Sequence, residues 1–290
     1  MRTIEPSELI INPDGSIFHL HLRPEDISNK IILVGDPGRV DTVASFFSRI
    51  EFTTANREFK TITGYFNGKR ITVVSTGIGT DNIDIVVNEL DALVNIDLKT
   101  RQEKQEKSKL TIVRLGTSGA LQPDIPVDSF VLTSIAIGFD GLLNFYKGRN
   151  QISDLAMEKA FIEHTQWNPL CAKPYFVPSS AELMSLFEDM TIKGVTISAP
   201  GFYGPQGRVL RLPLADSNLN ASIESFRYKN QRITNFEMES SAINGLSLLM
   251  GHNALTICAI IANRVTKEAS ADYKKNIKNL IEQTLNRLTL

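Results

Sequence analysis

Arg114 stands one residue before the end of an apolar, β-branched run, Leu110-Thr-Ile-Val-Arg-Leu115, and Gly116-Thr-Ser-Gly119 follows at once. A guanidinium inside a buried strand is costly unless an anion or a hydrogen-bond network receives it. Two glycines let a backbone approach a ligand closely, and two hydroxyls offer hydrogen bonds. Similar pairings recur along the chain. Ile31-Ile-Leu-Val34 leads into Gly35-Asp-Pro-Gly-Arg39, and the apolar spacing of Val40, Val43, Ala44 and Phe47 predicts a helix capped by Asp36 or Asp41. Arg39 then lies at a helix amino end, where free N–H groups and the local field favour anions. Gly194–Ser198 leads into Ala199-Pro-Gly-Phe-Tyr-Gly-Pro-Gln-Gly-Arg208. In that loop aromatics can stack on a planar ring, and an amide beside a guanidinium can read its edge.

The elements that must hold these groups alternate between strands and helices. Residues 110–115 predict a buried strand and 116–119 a glycine turn. Phe18–Leu22 and Ile71–Ser75 predict strands, the latter ending in Thr76-Gly-Ile-Gly79. Asp81 is a candidate cap for a helix with the buried stripe Ile83, Val86, Val87, Leu90 and Val94. Ser129–Ile137 and Leu255–Ile261 predict strands, the second ending at Asn263-Arg264, and 152–166 and 180–190 predict helices. Asn235–Ser240 is expected to open a helix, its two acids suiting the dipole or accepting hydrogen bonds from sugar hydroxyls. Tyr273, Ile277, Ile281, Leu285 and Leu288 line a closing helix. This alternation argues for one α/β/α layered domain over 1–290, with 1–16 an irregular lead-in and 99–109 a charged surface excursion. If the sheet is parallel, the loops after its strands share one rim, which is where such sheets bind ligands.

The formal net charge of −1 over 290 residues leaves no global field for nucleic acid or an anionic membrane. Phosphate chemistry must therefore use arginines gathered locally. Two cysteines are too few for a disulfide framework or a zinc site, and no apolar stretch reaches the length of a membrane span. A cytoplasmic location is the default expectation.

Taken together, Gly35-Asp-Pro-Gly-Arg39, Asn56-Arg-Glu-Phe59, Ser75-Thr-Gly-Ile-Gly79, Arg114-Leu-Gly-Thr-Ser-Gly119, Phe236-Glu-Met-Glu-Ser240 and Asn263-Arg264 resemble the nucleoside phosphorylase-I family, in family order from Phe18 to the last helix. The resemblance implies a three-layer α/β/α sandwich around a twisted mixed β-sheet. It also implies a homodimer as the minimal active unit, three of which often form a hexamer in bacterial members. By the same resemblance, Gly35, Arg39, Arg114 and Thr117 hold phosphate, with Arg57 lent by a neighbouring subunit. His19, also from the neighbour, Met238 and Glu239 hold the ribose. Ser118, Gly119, Phe202, Gln206, Arg208 and Arg264 surround the base. Arg114, Arg208 and Glu239 are the catalytic candidates.

Within the family, Asn263 stands where purine-specific members carry an aspartate, and Gln206 with Arg208 is a pyrimidine-type pair. The implied reaction is phosphorolysis of uridine to uracil and ribose 1-phosphate. A purine phosphorylase, a nucleosidase and a non-catalytic nucleoside binder are the alternatives. The full set Arg39, Arg57 and Arg114 favours phosphate over water as the nucleophile. Inorganic phosphate is a co-substrate, and no cofactor is implied. Some members bind potassium between subunits; Glu58 and Ile78 match two of its ligands, while Asn82 replaces the expected serine. The Phe202–Gln206 stretch also exchanges glycine and proline relative to the common bacterial order.

Overall fold

The computed structural model describes residues 2–290. The run around Arg114 forms the strand Thr111–Ala120, buried along most of its length, and this strand is the hub of an 11-stranded sheet. Lys30–Val34 and Asn253–Asn263 flank it in parallel register, Leu33 and Thr256 lying opposite Arg114. Lys69–Ser75 continues the sheet in parallel beyond Lys30–Val34, and Phe59–Phe66 and Arg49–Asn56 follow antiparallel. On the other side Asn253–Asn263 pairs antiparallel with Phe130–Gly138, which carries Ile192–Ser198 and then Gln231–Glu237 in parallel.

Helices cover both faces. Thr80–Asn95 and Ser240–Met250 pack on one apolar cluster, Pro37–Ala44 and Tyr273–Leu288 on another. Leu155–Thr165 covers a third, built around Phe161, Phe176 and Phe226. Each fully buried Val, Leu, Ile or Phe there contributes roughly 1.5–3 kcal/mol from apolar burial. The layered α/β/α arrangement around a twisted mixed sheet is therefore the fold of this chain.

Four local expectations are corrected. Gly116–Gly119 is not a turn: the strand runs through to Ala120. The glycines are there for clearance. A Cβ on Gly116 would lie 2.1 Å from Arg114 Nη1 and 3.1 Å from Cys258 Sγ, and one on Gly119 would lie 3.3 Å from Arg264 Cδ. Phe18–Leu22 forms turns rather than a strand, with His21 at φ 51°. Asn235–Glu237 ends a strand, and the helix starts at Ser240 with Glu239 as its N-cap. The cap of the Thr80–Asn95 helix is Gly79, at φ 99°, not Asp81; Asp36 caps the Pro37–Ala44 helix by accepting from Arg39 N.

The shared parallel rim is corrected as well. Phe130–Gly138, Ile192–Ser198 and Gln231–Glu237 run opposite to the hub strand, so a flat sheet would send their ends away from it. The sheet instead curls until Gln231–Glu237 meets Thr111–Ala120, with Asn235 opposite Ala120 and Phe236 opposite Gly119. Five strands thereby close into a ring. Closure is what carries Glu237, Met238 and Glu239 to the Arg114 strand.

Candidate active site

A cavity of about 480 Å³ opens where the ring meets the ends of Lys30–Val34 and Lys69–Ser75. The strand Thr111–Ala120 contributes Arg114, Thr117, Ser118 and Gly119 to its wall, and the loop after Ile192–Ser198 contributes Phe202, Gln206 and Arg208. Gly35, Arg39, Met238, Glu239 and Arg264 complete the expected residues that line it. Twelve of the fourteen site residues named from the sequence thus meet in one concavity. The two outside it are His19 and Arg57. They adjoin each other on the surface: Asn56 Nδ2 donates to His19 O at 2.8 Å, and the His19 ring meets Glu89 at 2.6 Å.

Arg114 is almost wholly buried, and two carboxylates hold it. Its Nη2 donates to Glu239, and its Nη1 lies 3.3 Å from Glu237 Oε2. Burial works against its charge, but Glu239 and Glu237 more than offset that, so its pKa rises above the ordinary arginine value. Burial raises the carboxyl of Glu239, with the Arg114 charge opposing. Its Oε1 also accepts from Gly79 N at 2.8 Å, which ties the Lys69–Ser75 turn to the Arg114 strand. Glu237, one of the two acids of the Asn235–Ser240 stretch but not among the assigned site residues, anchors the cluster. It accepts from Ser198 Oγ at 2.5 Å, Ser240 Oγ at 2.6 Å and Glu239 N at 2.9 Å. The available signal was a second acid two residues before Glu239, beside a buried arginine.

Arg39 donates to Leu115 O at 3.3 Å and pairs with Asp36 at 3.3 Å. Burial lowers its pKa, Asp36 raises it, and the nearby Arg114 charge lowers it further. Arg264 shows the same pattern: burial lowers its pKa first, then repulsion from Arg208, and its Nη1 is buried without a partner. Arg208 is half-buried, which lowers its own pKa, and it stacks over Phe202 at 3.8 Å from the ring centroid while Nη1 donates to Gln206 Oε1 at 2.5 Å. Ser118 Oγ accepts from Asn235 Nδ2 at 3.0 Å and also hydrogen-bonds Cys258.

The cavity therefore carries two like-charged guanidinium pairs, Arg39 with Arg114 and Arg208 with Arg264. Arg264 packs beside Gly119, and the Arg114 guanidinium ends against Gly116, three residues back along the strand, about 10 Å at strand rise. Like charges brought together in a half-dry site are stable when an anion lies between them. Met238 and Glu239 line the same cavity, Glu239 paired with Arg114. Cys258, buried beside Arg114, has its thiol pushed up to about 12 by burial and is no ready nucleophile. Among the described residues no group of three or more His, Cys, Asp or Glu is placed to hold a metal ion.

Gly116→Ala tests how tightly this geometry is held. The new methyl group must displace an arginine end already fixed by two carboxylates. If Arg114 receives an anionic substrate, KM for that anion is expected to rise roughly ten-fold with the protein still folded, measured by steady-state kinetics. An unchanged KM would show that the glycine does not set the arginine's position.

Comparison with known proteins places the chain among nucleoside phosphorylases. The chain is 29% identical over 263 residues to a uridine phosphorylase of Thermococcus kodakarensis, covering 88% of this chain and 80% of the relative. It is 28% identical over 283 residues to a guanosine phosphorylase of Halorubrum lacusprofundi, covering 93% and 97%. A solved nucleoside phosphorylase of Trypanosoma brucei, described as showing uridine phosphorylase activity, superposes with a TM-score of 0.82 at 28% identity, covering 96% of this chain and 99% of that one. The sequence pattern of the phosphorylase superfamily runs through residues 29–289, and the chain belongs to that superfamily.

Proposed function

We propose that the protein catalyses the reversible phosphorolysis of uridine, giving uracil and ribose 1-phosphate. The observation that carries this reading is the pair of doubled arginines at two stations of one cavity, with the Glu239 carboxylate beside Arg114. Phosphate sits on Arg39 and Arg114, with Gly35 and Thr117 beside it. Planar forks donate paired hydrogen bonds to such an oxyanion and stay charged. Glu239 takes the ribose hydroxyls, and Met238 packs against the sugar. Ser118, Gly119, Phe202, Gln206, Arg208 and Arg264 enclose the pyrimidine. As the glycosidic bond breaks, the sugar gains oxocarbenium character and the base leaves with negative charge. Arg208 and Arg264 stabilise that charge, while phosphate closes on C1′ from the other station.

Asn263 supports a pyrimidine over a purine. Its Nδ2 donates to Gln122 O and Ile125 O, both at 2.9 Å, and its Oδ1 accepts from Val265 N and Thr266 N. With every polar atom committed to backbone, it has nothing to offer a purine ring nitrogen. The test is a panel of uridine, thymidine, deoxyuridine, inosine and guanosine with and without phosphate, scored for released base. Phosphate-dependent release, greatest with uridine, is the expected result. Release without phosphate would make the protein a nucleosidase, and preference for guanosine a purine phosphorylase. Uridine binding with no release would leave only a binder.

The proposed working unit is at least a homodimer in which His19 and Arg57 of one copy complete the cavity of the other. Their position side by side outside their own cavity supports it. Specific activity is expected to fall on dilution as the assembly dissociates, followed by sedimentation in parallel; a fully active monomer would remove both residues from the site. A cytoplasmic location belongs to the same proposal; among the described residues no helix is long and apolar enough to cross a membrane.

A further inference from the structure

Glu89 is buried on the Thr80–Asn95 helix, whose other buried residues include Val86, Leu90 and Leu93. A carboxylate in such a place is costly unless donors meet its oxygens. Here the donors come from one short stretch. Oε1 accepts from His19 N at 3.1 Å and Oε2 from Leu20 N at 2.9 Å. Oε1 also lies 2.6 Å from His19 Nδ1, and His19 is the only ion-pair partner of Glu89 among the described residues. The two backbone bonds would suffice to fix the chain there; the contact with the ring goes beyond them. The ring is held from other sides as well. Asn56 Nδ2 donates to His19 O at 2.8 Å, and Phe18 and Phe59 meet the imidazole edge-on, with ring centroids 4.7 and 6.5 Å away.

An ionised carboxylate can only accept, so Nδ1 carries the ring proton and the neutral ring is left with a bare Nε2. The His19 side chain is 28% exposed, and among the described residues Nε2 has no hydrogen-bond partner. We propose that Glu89 is a positioning residue for the sugar: it fixes the tautomer and direction of His19, so that Nε2 accepts a hydrogen bond from a ribose hydroxyl in the neighbouring copy's cavity. The inference rests on the reading that His19 of one copy completes the cavity of the other. It gives that contact a sense, since the hydroxyl must donate and the imidazole acts as an acceptor rather than a cation.

Glu89→Gln in the full-length protein reverses the pattern. Its amide oxygen can still accept from the backbone, while its amide nitrogen can only donate to Nδ1, which moves the ring proton to Nε2. Nitrogen-15 spectra of histidine-labelled protein, at a pH well above the ordinary histidine range, read the tautomer directly; the His19 signal is the one lost in His19→Ala. The parent is expected to show a bare Nε2 and E89Q a bare Nδ1. A bare Nδ1 in the parent, a ring still doubly protonated there, or an unshifted E89Q ring would overturn the proposal, and the parent spectrum stays decisive if E89Q folds poorly. Kinetics then separate positioning from plain structure. E89Q is expected to lower kcat/KM for uridine about ten-fold, and to cost nothing further in the H19A background. An equal loss in both backgrounds is what a merely structural carboxylate would give, and it sinks the role of Glu89 alone, as does full activity in E89Q beside an impaired H19A. An H19A protein as active as the parent sinks the two-copy reading itself.

Discussion

Arg114→Ala is expected to abolish phosphorolysis and to destabilise the fold in the same stroke. The activity loss follows from removing a charged donor from the phosphate station, on the order of 10³-fold when such a group is lost from a dry site. The stability loss follows from what the arginine leaves behind. Glu237 and Glu239 are both buried, and their countercharge is this one guanidinium. Breaking a buried pair by deleting one partner costs about 3–5 kcal/mol, because the remaining charge is left uncompensated. The two effects separate in a cycle with Glu239→Gln. In the Arg114→Ala background that second change removes a stranded carboxylate, so the denaturant midpoint should recover part of its loss while activity stays absent. Additive midpoints would show that the two side chains do not depend on each other. Near-normal turnover in the single variant would refute the role assigned to Arg114.

Arg208→Ala is the second large effect, and it should fall almost entirely on chemistry. The side chain sits half-buried on a loop, over Phe202 and against Gln206, with no carboxylate depending on it. Stability should hardly move. The kcat/KM for uridine should drop about 10²-fold, or about 3 kcal/mol in the barrier, the usual cost of one donor aimed at developing charge. KM for phosphate should stay put. Initial rates with each substrate varied in turn make the measurement. Equal damage to uridine and ribose 1-phosphate use would mean that Arg208 organises the whole site rather than the leaving base.

Much of this was legible in the residues. The strands at Lys30–Val34 and Asn253–Asn263 and the closing helix Tyr273–Leu288 announce themselves through β-branched runs and helical spacing. Arg39, Arg114, Thr117, the 199–208 loop and Arg264 stand out because glycine, hydroxyl and guanidinium groups cluster after strands, whereas Met238, Glu239 and the role of each residue come from the resemblance to nucleoside phosphorylases. What stayed hidden depends on partners far along the chain. Gly116 and Gly119 read as a turn because a glycine's local preference is for turns, whereas here they clear space for arginines from the same strand and from residue 264. Arg49–Asn56 is an edge strand that alternates only between exposed and half-buried positions, and Phe59–Phe66 beside it mixes polar Lys60, Thr61 and Thr63 into a mostly buried run, so neither reads as a strong apolar pattern. Glu237 looked like an ordinary helix-start acid, since nothing local reports that Arg114 and Ser198 will reach it. Ring closure was out of reach for the same reason: two residues of antiparallel register, 235 and 236 against 120 and 119, decide it.

That closure separates two kinds of precision. The groups expected to grip phosphate and sugar are tied by sheet register and buried ion pairs, so they move together or not at all. Three of the groups expected to enclose the base, Phe202, Gln206 and Arg208, ride on the stretch after Ser198, which holds one short 3₁₀ turn, Gly204–Gln206, before the helix Leu219–Ser225. A lineage, or a protein engineer, can therefore reshape one wall of the nucleobase pocket by exchanging that stretch while the bond-breaking apparatus keeps its dimensions.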